Sequence, residues 1–175
     1  MSGKILAVMI VLFTALFAGA LWYFQTRAFY VPVEAQTPAA EIRLTTFDGI
    51  EEPLLLSGFD GINADTSPLR FRACFDAPLS QALLTETFMP YEDATPFRAP
   101  GWFSCFNAEA LGAQLEQGTA LAFLGQRNIS YGIDRIVAVT DTGQGYVWHQ
   151  INACGEASFD GDPLPAGCPP APERE

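Results

Sequence analysis

The sequence predicts an α+β fold in which an N-terminal transmembrane helix precedes a small antiparallel-sheet domain with about two helices and two disulfides. Three observations carry this prediction. Residues 5–24, ILAVMIVLFTALFAGALWYF, run for twenty positions without a charge, and only Thr14 is polar. Residues 69–76 alternate Leu69, Phe71, Ala73 and Phe75 with Arg70, Arg72, Cys74 and Asp76, the period of a half-buried strand. Four cysteines, Cys74, Cys105, Cys154 and Cys168, all follow the apolar run.

At about 1.5 Å per residue the apolar run reaches roughly 30 Å, the thickness of a bilayer's hydrocarbon core. A helix satisfies all its backbone groups internally, so lipid suits it. A cleaved secretory signal competes with this reading, because Ala18-Gly19-Ala20 offers a small-x-small site. The run continues past that site through Leu21, Trp22, Tyr23 and Phe24, an aromatic cluster suited to the membrane interface, which favours the uncleaved anchor. Lys4 and the amino terminus against Arg27 favour a cytoplasmic N-terminus. The expected organisation is a cytoplasmic end at 1–4, an anchor at 5–24, a linker at 25–40, a periplasmic domain at 41–168 and a Pro-rich tail at 169–175.

All twenty carboxylates lie from Glu34 onward, against seven Arg and no Lys beyond residue 27, so the exported part carries a formal charge of −13. That field repels phosphate backbones and excludes nucleic acid as a partner class. An even cysteine count in a chain bound for an oxidising compartment reads as two disulfides. Zinc is the rival, but the spacings of 31, 49 and 14 contain no CxxC, and His149 is the one histidine. Of three connectivities, Cys74 with Cys105 and Cys154 with Cys168 is favoured, the second closing a Gly- and Pro-rich loop.

In chain order, residues 28–40 hold Pro32, Pro38 and small residues without a period, and read as a tether. Ile42, Leu44 and Phe47, then Asp48-Gly49, then Pro53-Leu54-Leu55-Leu56 predict a hairpin whose second strand lies at an edge. Residues 59–67, with Gly61, Asn63 and two Asp, have loop composition; Asp60, Asn63 and Asp65 lack EF-hand spacing. On the strand at 69–76, Cys74 shares the arginine-bearing face. As a free thiol it would be activated by those guanidinium groups; as a disulfide it would pin residues 102–106 across that face. A helix is expected near 79–88, ending before Met89-Pro90, and another at 108–117 between the cap Asn107 and the stop Gly118. Strands follow at 120–124, 133–140 and 145–151, the last two joined as a hairpin through Asp141-Thr142-Gly143-Gln144. From Asn152 onward the chain reads as a cysteine-bounded loop and an extended tail.

Chemistry is sparse. Residues 128–132, NISYG, come near the nucleophile elbow, with Asp134 or Asp141 and His149 following in hydrolase order, but a strand and hairpin follow where the elbow needs a helix. His149 shares a strand face with Val147 and Ile151, the position of a satisfied core histidine. No catalytic residue, cofactor site or metal site is assigned. Trp102, Tyr131, Trp148 and His149 are the candidates to line an aromatic ligand pocket.

The phrases SPLRFRACF (67–75), APGWF (99–103), AFLG (122–125), NISYGID (128–134) and WHQIN (148–152), together with the amino-terminal span, resemble an uncharacterised family of short, single-pass membrane proteins of alphaproteobacteria, a domain of unknown function sometimes labelled histidine kinase. The resemblance covers most of the chain. It implies an inner-membrane anchor with the C-terminal domain in the periplasm, and it supplies no activity and no site residues. The kinase label does not fit, since 175 residues leave no room for an ATP-binding domain and a dimerisation helix pair. The expected role is an accessory or interaction module of the cell envelope, non-enzymatic and facing another envelope or membrane protein; the alternative is a small-ligand-binding or sensory domain.

Overall fold

A run of apolar residues satisfies its backbone only as a helix where lipid is the solvent, and the computed structural model, which describes residues 3–172, has α1 at Gly3–Thr26. The polar side chains at the middle and end of α1 turn back on the helix: Thr14 donates to the Ile10 carbonyl at 2.8 Å and Thr26 to the Trp22 carbonyl at 2.7 Å. By length and composition α1 can cross a membrane. Among the described residues, those up to Tyr30 form one compact unit and those from Val31 onward a second. Part of the expected cytoplasmic end (1–2) and of the Pro-rich tail (173–175) lies outside the described residues.

The second unit is built on an antiparallel sheet in the order β1-β4-β5-β8-β7-β6. Its strands are β1 (Val31–Pro32), β4 (Ser57–Asn63), β5 (Arg72–Asp76), β6 (Ala120–Ser130), β7 (Ile133–Thr140) and β8 (Gln144–Ile151). The remaining pair, β2 (Arg43–Thr45) and β3 (Glu51–Pro53), is the expected hairpin with its second strand at 51–53 instead of on the apolar run 53–56, turned by Gly49 at φ +79° and closed by the Thr46 N–H on the Ile50 carbonyl. It lays Ile42, Leu44 and Leu54 over one face of the large sheet, against Phe71, Ala73 and Phe75, Val147, Val137 and Val139, and Phe123. The helix α2 (Gln81–Thr87), capped by the Ser80 hydroxyl, adds Leu84 to that core and is followed by Phe88.

The opposite face carries Cys74, Tyr146, Trp148, Ile136 and Ala138, as the strand registers require. Residues 89–91 pair along the edge of β6, and the chain from 92 to 107 crosses this face, with Phe106 edge-on to both Tyr146 and Trp148 and the Cys74–Cys105 disulfide pinning the crossing. Arg72, 4% exposed, clamps the same segment: Nε donates to the Phe97 carbonyl at 2.8 Å, Nη2 reaches the Arg98 carbonyl, and the guanidinium lies over the rings of Phe97 and Phe106. The helix α3 (Ala108–Gln117) follows, with the Asn107 side chain accepting from Ala110 N and Gly118 left-handed at its end, within the bounds the sequence predicts.

The structure corrects four expectations. The strand expected over 69–76 starts only at Arg72, because Pro68 opens a 3₁₀ turn over Pro68–Arg70 ahead of it. The tether is not wholly unpaired: Val31 and Pro32 pair with Asn63 and Ile62, and Val33 N–H bonds the Gly61 carbonyl, so part of the Pro-containing segment serves as an edge strand. The loop expected over 59–67 is largely β4; its glycines serve a strand, Gly58 at φ +63° beside a register shift and Gly61 beneath the Phe59 ring, where a Cβ would collide. The cysteine-bounded loop contains α4 (Ala153–Asp160), with Asn152 capping Gly155 N and Gly161 left-handed at its end. Both cap residues are visible in the sequence. The Cys154–Cys168 disulfide closes this helix and its trailing loop, and both pairings agree with those favoured from the sequence.

Candidate functional site

Strands β7 and β8 pair so that Arg135 lies opposite His149, on the hairpin-covered face. Arg135 is 4% exposed and His149 6%. Arg135 Nε donates to His149 Nε2 at 3.1 Å, and His149 Nδ1 is 2.6 Å from the Pro68 carbonyl. Both side chains pack on Phe71, the imidazole stacked at 4.9 Å between centroids and the guanidinium 4.6 Å from the ring centre. Arg135 Nη1 makes two longer bonds, 3.4 Å to the Glu41 carbonyl and 3.3 Å to Gln126 Oε1. The Gln126 amide in turn donates to Glu51 at 2.9 Å.

Burial, followed by the positive charge of Arg135, holds His149 down to about 4, while the bond to Pro68 acts the other way. Burial lowers Arg135 to about 10, opposed by Glu51, so the guanidinium remains cationic at neutral pH. These groups line a cavity of about 330 Å³ where the ends of β4, the β6–β7 turn and the 3₁₀ turn at Pro68–Arg70 converge. Asn63, Asp65 and Ser130 supply its other polar groups, and Ala39, Ala64 and Ile129 part of its apolar wall.

The elbow-like residues take up other work. Ser130 is exposed at the end of β6, paired with Ile133 across the turn. His149 has both nitrogens engaged, so its basic lone pair faces Arg135 rather than a serine hydroxyl. Asp134, 2% exposed, accepts from Asn128 N at 2.9 Å and from the Asn152 amide at 2.7 Å. It also lies beside Tyr91, whose phenol is pushed up to about 12 by burial first and by the Asp134 charge next. This network anchors the turn and α4.

The aromatic pocket expected from Trp102, Tyr131, Trp148 and His149 does not form as one cavity. Trp148 and His149 are neighbours on one strand and so face opposite sides of the sheet. Tyr131 lies elsewhere, donating to the Pro169 carbonyl at 3.0 Å and lining a separate cleft with Phe159. Trp102 packs edge-on to Phe103 in the crossing segment. Cys74 is buried in its disulfide, which removes the reactive thiol. Arg135 carries no motif in the sequence; its one signal there is a charge directly before the unbroken apolar run Ile136-Val137-Ala138-Val139, and the structure buries every position of that strand.

A larger groove of about 430 Å³ runs between α3 and β6, with Tyr91, Glu92 and Glu116 as its ionisable groups. Among the described residues no cluster of His, Cys, Asp and Glu has a metal-binding arrangement. A model for a family of unknown function, DUF6446, matches residues 42–169. No curated protein and no solved structure matches the chain.

Proposed function

This chain belongs to DUF6446, a family of unknown function, and from that premise we propose that it is a single-pass inner-membrane protein whose acidic domain works in the periplasm as an accessory or interaction module. The observation that carries the proposal is the combination of an apolar 24-residue helix with a domain closed by two disulfides. The helix supplies a membrane anchor, and the disulfides fit an oxidising compartment. The resemblance to alphaproteobacterial single-pass proteins supports the same envelope. In this reading the domain performs no turnover, and its partner is another envelope or membrane protein.

The test is topological first. A reporter fused after residue 175 and active only when exported should be active, and the intact chain should stay with membranes through an alkaline carbonate wash. A shorter, soluble product beginning near Leu21 would replace the anchor with a cleaved signal. Stoichiometric co-purification from mild detergent of one envelope protein then tests the module role. A second reading, a small-ligand-binding or sensory domain, is favoured by one specific observation: the cavity beside the buried Arg135.

A further inference from the structure

The hydrogen bonds of Arg135 leave one nitrogen over. Nε goes to His149 and Nη1 to Glu41 and Gln126, while Nη2 has no hydrogen-bond partner among the described residues. No described carboxylate lies within ion-pair distance of this guanidinium; Glu51 acts on it by its charge from farther off and through the Gln126 bridge. A buried cation is costly unless paired. Arg72, equally buried, shows the alternative arrangement, with Nε, Nη1 and Nη2 all bonded to carbonyl oxygens. Arg135 differs in lining a cavity.

We propose that the cavity at Arg135 binds a small monocarboxylate, its carboxylate on the guanidinium and a short apolar tail against Phe71, Ala64 and Ile129. The inference rests on the ligand-binding reading and names its ligand class. Guanidinium N–H groups match carboxylate oxygens in geometry and charge. Ser130 and Asn63 line the same cavity and carry a hydroxyl and an amide able to donate. A second negative charge is disfavoured, because Asp65 lies exposed at the same cavity and the exported part carries a formal charge of −13. The volume of about 330 Å³ equals about ten waters, which limits the occupant to roughly ten heavy atoms.

The test uses the full chain in detergent micelles with three matched pairs of probes: acetate and acetamide, butyrate and butyramide, benzoate and benzamide. The single histidine, labelled with ¹⁵N, reports the site directly through its bond to Arg135. Saturable shifts at His149 are expected with the carboxylates, butyrate binding about tenfold more tightly than acetate through two methylenes. The amides and succinate should bind at least tenfold more weakly. Ser130→Trp, an exposed position that fills the cavity mouth, should abolish the butyrate shift in a folded protein, and Arg135→Gln should weaken it at least tenfold. Equal binding of acid and amide would overturn the carboxylate assignment and leave a ligand-binding domain standing. Absence of any shift at His149 up to 20 mM probe, on the order of 100-fold above a dissociation constant of ~0.2 mM, would overturn the site itself.

Discussion

Arg135 Nε donates to His149 Nε2 at 3.1 Å across the β7–β8 pair, and that bond fixes the proton of the chain's single histidine. An arginine has no acceptor, so Nε2 must offer its lone pair and Nδ1 must carry the hydrogen, which it donates to the Pro68 carbonyl at 2.6 Å. The tautomer follows from the partners.

The same geometry predicts how His149 titrates. Its value in the folded protein is held from 6.5 down to about 4, so as pH falls the unfolded chain takes up this proton first. The histidine's contribution to stability is therefore complete above pH 6.5 and is lost as pH falls toward 4. Imidazole ¹⁵N shifts of the labelled protein should stay flat from about pH 8 to pH 5.5. A midpoint near 6.5 would contradict the buried Arg135–His149 pair.

The two disulfides predict unequal losses. Cys74–Cys105 spans 31 residues and Cys154–Cys168 spans 14. In the chain-entropy account their removal costs about 4 and about 3 kcal/mol respectively. Their structural consequences differ more than their energies. Serine at 74 and 105 should release the segment that Phe103 and Phe106 hold down, and so speed tryptic cleavage after the exposed Arg98. Serine at 154 and 168 should leave Arg98 as resistant as before. Equal cleavage in the two variants would show that Arg72, Phe103 and Phe106 hold the segment without the disulfide.

What the sequence made legible was local. The hairpin at Asp48-Gly49 and α3 between Asn107 and Gly118 are written in turn and cap residues whose preferences act within a few positions. The favoured disulfide pairing also emerges, because Cys74 shares a strand face with Arg72 and looks onto the segment that holds Cys105. Non-local features stayed hidden. β4 is a strand because β1 and β5 pair with it on both sides, which outweighs Gly58, Asp60 and Gly61. α4 was hidden for a different reason: the glycine and proline content of 152–168 masked the caps at Asn152 and Gly161. The cavity at Arg135 gathers residues from 39 to 149, and no spacing rule announces such a set.

Gly155 in α4 packs directly on the backbone of Gly132 in the β6–β7 turn, and a Cβ at 155 would collide with the Gly132 carbonyl. Gly155→Ala should therefore destabilise the domain by about 2 kcal/mol, since neither backbone can retreat without disturbing its hydrogen bonds. Gly112→Ala, in α3 with nothing within 4 Å of the new methyl, is the matched control and should stabilise by up to about 1 kcal/mol. Urea denaturation of the two variants measures both. If both changes stabilise, the contact between α4 and the turn does not hold in solution.

Asn152 performs two tasks at once, and separating them tests the polar network beneath α4. Its Oδ1 accepts from Gly155 N at 3.0 Å as the helix cap, while its amide donates to Asp134 at 2.7 Å and to Asn128 at 3.1 Å. Asn152→Ala loses about 1 kcal/mol of capping and also leaves the buried Asp134 short of a donor, worth about 2 kcal/mol more. Asn152→Asp keeps the cap but replaces the amide donor with a second carboxylate against the buried Asp134, so it should lose stability even with its cap intact. Urea denaturation of both variants decides the matter. An Asn152→Asp variant as stable as the parent protein, beside a loss of only about 1 kcal/mol in Asn152→Ala, would reduce Asn152 to a helix cap, whereas a loss in Asn152→Asp as large as that in Asn152→Ala establishes the Asp134 bond as the larger part of its role.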